Sequence, residues 1–138
     1  MNLKEIAQQF VDWTKRKIRH HTDEKKDVYF REKEVWWAAL GKNVGYEVDG
    51  KHELFERPVL IVKKYSKDIC FVLPLTTQIK NPKPWYQIVI EIEEVSNAVN
   101  ISQGKTISSK RLLRKSAMIE TEVYNNIVDQ FIGTFKSK

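Results

Sequence analysis

Six polar side chains stand where the chain passes between apolar runs and turns: Glu47, Arg57, Thr76, Thr77, Gln103 and Lys105. Arg57 precedes Pro58 at the head of the run VLIV, and Thr76-Thr77 closes the run ICFVLPL. A guanidinium is a fixed positive fork and a hydroxyl a small donor, so such groups stabilise negative charge rather than attack covalently. Taken singly, each has an ordinary role open to it. Arg57 could be a surface arginine at a strand start, the threonines could be β-formers, Glu47 a loop carboxylate, and Gln103 the partner of a backbone group.

Other chemistries find little support. The three histidines, His20, His21 and His52, have no carboxylate or cysteine at the spacing of a tetrahedral metal site. His20 and His21 are adjacent, which on a helix points them about 100° apart, and they fall in a charge-dense stretch read as linker. The one cysteine, Cys70, lies inside DICFVL, where an inert core thiol is expected. No Gly-x-Ser-x-Gly turn, Walker loop or dinucleotide glycine pattern occurs. The sequence therefore points to no metal and no cofactor.

The elements that must position these residues follow from periodicity. Leu3, Ile6, Phe10, Trp13 and Ile18 recur near helical spacing and predict a helix over roughly residues 2–18, followed by the linker KRKIRHHTDEKK. EVWWAAL, PVLIVKK and ICFVLPL read as strands, the last two joined as a hairpin by YSKD. Gly41, Gly45 and Asp49-Gly50 mark a long turning loop before them, and NPKP breaks the chain after them. WYQIVIEI alternates as a half-buried strand; AVNI, a SSKRLL turn or short helix, and SAMI follow. Val123, Ile127, Val128, Phe131 and Ile132 form one helical stripe, with Gly133 as its stop. Five or six short strands between two helices predict an α+β, mainly β fold: a small, partly open SH3-like barrel.

With 138 residues and 41% hydrophobic content, the chain makes one globular domain. A net charge of +6 favours a polyanionic or acidic partner. No run has signal-peptide or membrane-span character, which leads to the expectation of a cytoplasmic protein.

The order of the motifs narrows this further. EVWWAALGKNVGYEVDGKHELFERPVLIV, then VLPLTTQIK, then ISQGKTISSKRL, resembles the MazF/PemK (Kid-like) family of type II toxin–antitoxin endoribonucleases. The likeness spans residues 33–133: an aromatic first strand, a Gly-x-Glu loop, an Arg-Pro strand start, a Pro-x-Thr-Thr end and a Ser-Gln-x-Lys-x-Ile segment before Arg-Leu. It divides the chain into an N-terminal helical extension with its linker, residues 1–32, as in a longer subgroup of the family, and a PemK-type barrel with the C-terminal helix, residues 33–138. It implies a bacterial, metal-independent enzyme cutting single-stranded RNA at preferred sequences to 2′,3′-cyclic phosphate and 5′-OH ends. It also implies a homodimer and a cognate antitoxin that is acidic and partly disordered.

Carried onto the matching positions, the resemblance makes Arg57 and Thr76 the catalytic pair and lets Glu47 orient the arginine or share in proton transfer. Thr77, Gln103 and Lys105 would line the RNA groove; Tyr46, Trp85 and Tyr86 are aromatic residues open to either base stacking or core packing. Three positions depart from the family pattern: Gly104 where an aliphatic is usual, Ser108 where Asp is common, and Arg31-Glu32-Lys33 where a Gly-Glu or Gly-Asp pair precedes the first strand. Ser caps nearly as well as Asp, so the turn should survive. Two other functions suit the same elements: a catalytically silent nucleic-acid-binding barrel, and a gyrase-targeting toxin of the CcdB type.

Overall fold

The computed structural model of the chain describes residues 1–24, 27–79 and 86–136. The NPKP break and Trp85 lie outside the described residues. Helix α1 (Leu3–Thr22) starts where the Asn2 side chain accepts a 2.9 Å hydrogen bond from the Glu5 amide. It runs past the expected end at residue 18, so His20 and His21 are helical and the linker shrinks. The physical reason is that Lys and Arg are good helix formers, no Gly or Pro intervenes, and Arg19, His20 and His21 complement the negative end of the helix dipole.

Of the apolar positions on α1, only Trp13 is buried, while Leu3, Phe10 and Ile18 stay exposed. Trp13 packs against Phe55, ring centroids 5.6 Å apart, and against Ala39. The indole also lies directly over Gly41, where a Cβ would collide with it; the φ of 86° at this residue independently favours glycine. One tryptophan thus anchors the helix to the barrel.

The strands are β1 (Glu34–Ala39), β2 (Glu56–Lys64), β3 (Ile69–Thr76), β4 (Gln87–Ile92), β5 (Val95–Asn100), β6 (Lys105–Ser108) and β7 (Leu112–Met118). A 3₁₀ turn, Ser109–Arg111, joins β6 to β7, and α2 (Thr121–Gly133) closes the fold. The order is β4-β5-β3-β2-β1-β7, with β6 also on β3, and all these pairings are antiparallel. One strand more than expected appears because KTIS, only four residues long, pairs as β6. β3 changes partner along its length, from β6 at residues 69–72 to β5 at Leu75 and Thr76, and Pro74 falls between the two stretches.

The continuous apolar runs of β2 and β3 are explained by burial on both faces. Leu60, Val62, Leu73 and Leu75 join a core closed by Ile127 of α2, whereas Val59, Ile61, Cys70 and Val72 join a second core with Phe30 and Trp36. Cys70 is fully buried, and burial pushes its thiol up to about 11, in keeping with an inert core residue. Tyr124 of α2 ties the helix down by donating a 2.6 Å hydrogen bond to the Val62 carbonyl.

Candidate active site

Arg57 lies near the start of β2, and the proline after it holds its backbone extended. Val59 pairs with Pro74 across β2 and β3, so continuing the register by two residues sets Arg57 opposite Thr76. The guanidinium is clamped by main chain: Nε donates to the Asp49 carbonyl at 2.6 Å and Nη1 to the Leu75 carbonyl at 3.3 Å. Two of its five N–H groups are thus fixed, which aims the rest of the fork. Burial pulls the Arg57 guanidinium down from its ordinary range while the Asp49 charge opposes this. An arginine begins so high on the scale that it stays charged.

Arg57, Thr76 and Thr77 share one open cavity of about 200 Å³. Its other walls include Trp37, Lys51, His52 and Glu56. The Thr76 hydroxyl accepts a 3.1 Å hydrogen bond from the Gln78 amide, which leaves its proton to be donated elsewhere. Glu56 is paired by both Nη atoms of Arg114 at 2.9 Å, and Arg114 lies over the Trp37 ring at 4.9 Å. The hydrogen bonds from Arg114 hold the Glu56 carboxyl below its usual range against the effect of burial.

Glu47, Gln103 and Lys105 line a second cavity, about 140 Å³, together with Asn43. Glu47 accepts from the Val44 amide at 3.0 Å, a bond within its own loop. Gln103 crosslinks that loop to the end of β5: its Oε1 accepts from the Val48 amide at 3.3 Å and its Nε2 donates to the Tyr46 carbonyl at 3.1 Å. The Tyr46 ring projects fully into solvent, and Tyr86 is half-buried. Asp49 joins the two cavities. Its carbonyl holds Arg57, while its carboxylate accepts from the Asn43 amide at 2.6 Å and pairs with Lys42 at 3.2 Å.

The six residues singled out in the sequence thus fall into two adjacent groups of three rather than one cluster. Glu47 is not the group that clamps Arg57; the Asp49 carbonyl is. Lys51 and His52 were missed because they reach the cavity through a tight turn in which His52 takes φ 62°, and no motif announces such a turn. Trp37 was passed over as part of an aromatic strand, although its register opposite Pro58 is the signal that places it beside Arg57. Among the described residues, no group of three His, Cys, Asp or Glu side chains comes together as a metal site would.

No protein of the curated sequences matches this chain significantly. Solved structures match its fold. MazF (Form-I) from Deinococcus radiodurans superposes with a TM-score of 0.60 at 15% identity, over 78% of this chain and 96% of that one. An endoribonuclease in complex with its cognate antitoxin from Mycobacterial species gives 0.56 at 15% identity, over 77% and 94%. Mycobacterium tuberculosis toxin MazF-mt6 gives 0.55 at 15% identity, over 74% and 95%. Residues 31–134 match the family model of the PemK-like, MazF-like toxins of type II toxin–antitoxin systems, from just before β1 to the end of α2. The chain belongs to that toxin family.

Proposed function

We propose that the chain is a metal-independent endoribonuclease that cuts single-stranded RNA at preferred sequences and is held in check by an acidic antitoxin. The observation that carries this reading is the clamped Arg57 sharing one cavity with Thr76 at neighbouring ends of β2 and β3. The RNA supplies its own nucleophile: the 2′-OH attacks the adjacent phosphorus, the bond to the 5′-oxygen breaks, and a 2′,3′-cyclic phosphate and a 5′-OH result. Negative charge builds on the non-bridging oxygens in the phosphorane, where preorganised donors lower the barrier most. Arg57 supplies the charge and the fork, Thr76 donates its hydroxyl to the same phosphate, and Thr77 lines the approach.

Two protons must move: one leaves the 2′-OH and one reaches the departing 5′-oxygen. His52 shares the cavity with Arg57, and imidazole is the side chain that most often carries protons in enzymes. Glu47 lies in the neighbouring cavity, so a share in proton transfer suits it better than orienting Arg57. There Gln103 and Lys105 hold the strand beside the cut, and Tyr46 offers a ring on which an unstacked base can lie. The enzyme acts as a homodimer, with RNA crossing both copies, and the net charge of +6 draws in both RNA and an acidic antitoxin.

The test is incubation of the purified chain with a long single-stranded RNA in EDTA, followed by end analysis. Discrete fragments with 5′-OH ends are expected from the wild type and none from Arg57→Ala or Thr76→Ala. Continued cleavage by either folded variant, or dependence on added metal, would overturn the mechanism. RNA binding without cleavage by the wild type would leave a silent binding barrel, and inhibition of gyrase alone a different target.

A further inference from the structure

A third cavity, about 130 Å³, lies where the C-terminal half of α1 meets the 3₁₀ turn after β6. Trp13, Lys17, His20 and His21 form one wall, and Ser108, Lys110 and Arg111 the other. None of these lining residues is acidic. Arg111 is fixed much as Arg57 is: its Nη1 donates to the Ala39 carbonyl at 2.9 Å and its guanidinium lies 5.7 Å from the Trp13 ring centre. Lys110 donates to the His21 carbonyl at 2.7 Å, pinning the helix end against the turn. The negative end of the α1 dipole, about half a charge, is outweighed by the formal charges of Lys17 and Arg111.

The charge of this cavity is felt at Lys105, which lines the second one. Lys105 has its ammonium pulled below the ordinary lysine range, first by burial, then by Arg111 and, more weakly, by Lys17, with Glu47 opposing. Glu47 is the carboxylate in the cavity of Lys105, whereas the α1 cavity has none among its lining residues. Lys17, Arg111 and Lys105 therefore make a positive track from α1 into the groove containing Gln103.

We propose that the cavity between α1 and the 3₁₀ turn is an outlying subsite for a phosphodiester of bound single-stranded RNA. It rests on the endoribonuclease reading and extends it. α1 lies ahead of the residues that match the toxin family model, so the α1 wall of this cavity lies outside the matched part of the chain. The exposed imidazole of His21 suits a base beside the phosphate without choosing among bases. RNA is favoured over an acidic peptide because the track leads into the groove beside Arg57.

The experiment uses the full chain carrying Arg57→Ala, so that RNA is bound but not cut, with fluorescent oligouridines of increasing length. Affinity is expected to rise in a step once the strand reaches from the groove to the α1 cavity. Adding Lys17→Gln should erase the step and reduce the slope of log affinity against log salt by about 0.7, the value of one single-strand phosphate contact. Ser108→Asp retains a residue able to cap the turn, as Ser108 does by accepting from the Lys110 amide at 3.1 Å, but adds a carboxylate to the cavity and should erase the step too. Lys4→Gln removes the same charge roughly 20 Å away along α1 and should leave the step in place. A step and slope that survive both Lys17→Gln and Ser108→Asp would overturn the proposal. So would variants that lose only the binding of a polyglutamate peptide, which would assign the cavity to a protein partner. If the wild type cuts no RNA, the nuclease reading falls on its own assay, while the step is read by binding to a variant that need not cut.

Discussion

At the scale of single residues, the proposed chemistry depends on how Arg57 is held rather than only on its charge. Its Nε and Nη1 go to the Asp49 and Leu75 carbonyls, leaving the remaining N–H groups to meet a phosphate in a fixed direction. Lysine has the charge but no fork, and cannot hold two carbonyls and a phosphate in one plane. Arg57→Lys is therefore expected to lose about 10²- to 10³-fold in single-turnover rate, the loss typical of a missing transition-state donor. Thr76→Ser, which keeps the hydroxyl, should stay within roughly tenfold of wild type, while Thr76→Val should fall with Arg57→Lys. Cleavage by Arg57→Lys within tenfold of wild type would mean that positive charge alone suffices and that the clamp is irrelevant.

At the scale of elements, two of the departures from the family pattern acquire local explanations. A Cβ on Gly104 would meet the Phe71 ring at 2.5 Å and Leu73 Cδ2 at 3.0 Å, so Phe71 fills the space a side chain at 104 would take. Phe71 in turn packs on Phe131 of α2, ring centroids 5.3 Å apart. Gly104→Leu should destabilise by about 1–3 kcal/mol through overpacking. In the Phe71→Ala background the same change should cost far less, so urea unfolding of the four proteins should show a coupling of about 1 kcal/mol or more. Additive effects would show that Phe71 is not what excludes a side chain at 104. At the strand entrance, Lys33 takes φ 76°, a conformation that glycine adopts freely, and its ammonium reaches the Thr121 hydroxyl at 3.0 Å across to α2.

The elements also show what could be read in advance. That Arg57 and Thr76 come near each other was legible because one opens and the other closes an apolar run of the same hairpin, which brings those two ends to one side of the sheet. The end of α1 was not, because a run of basic residues carries no stop signal and the bond from Lys110 to the His21 carbonyl, which pins that end, is tertiary. The β4–β5 turn was hidden too: Glu93 and Glu94 both take positive φ, at 49° and 67°, where Asn-Gly is the usual signal. The loop that brings Lys51, His52 and Asp49 to Arg57 has its shape fixed by backbone bonds, such as the Gly50 amide to the Gly41 carbonyl at 2.8 Å, which composition does not encode.

At the scale of the whole molecule, β7 is fastened to the barrel by two buried or half-buried carboxylates. Glu34 of β1 accepts from the Trp36 indole at 3.1 Å and the Arg31 amide at 2.8 Å, and pairs with Lys115 of β7 at 2.9 Å. Burial alone would raise its carboxyl, but the Lys115, Trp36 and Arg31 hydrogen bonds outweigh that and hold it below the ordinary value. Glu56 of β2, held down by Arg114, makes the second tie and lines the Arg57 cavity. A carboxyl whose folded pKa lies below its unfolded value of about 4.3 contributes stability that is complete above that value and is lost as pH falls through the folded one. Both contributions are therefore whole at pH 7 and disappear in acid, where the net charge of +6 also climbs as carboxylates protonate and self-repulsion grows. Urea midpoints are expected to hold level from pH 7 to about 5 and to drop steeply below about 4. Glu34→Gln should be less stable than wild type at pH 7, because it leaves Lys115 without its partner, yet nearly equal to it at pH 3. If the two midpoints differ as much at pH 3 as at pH 7, the ionised form of Glu34 is not what fastens β1 to β7.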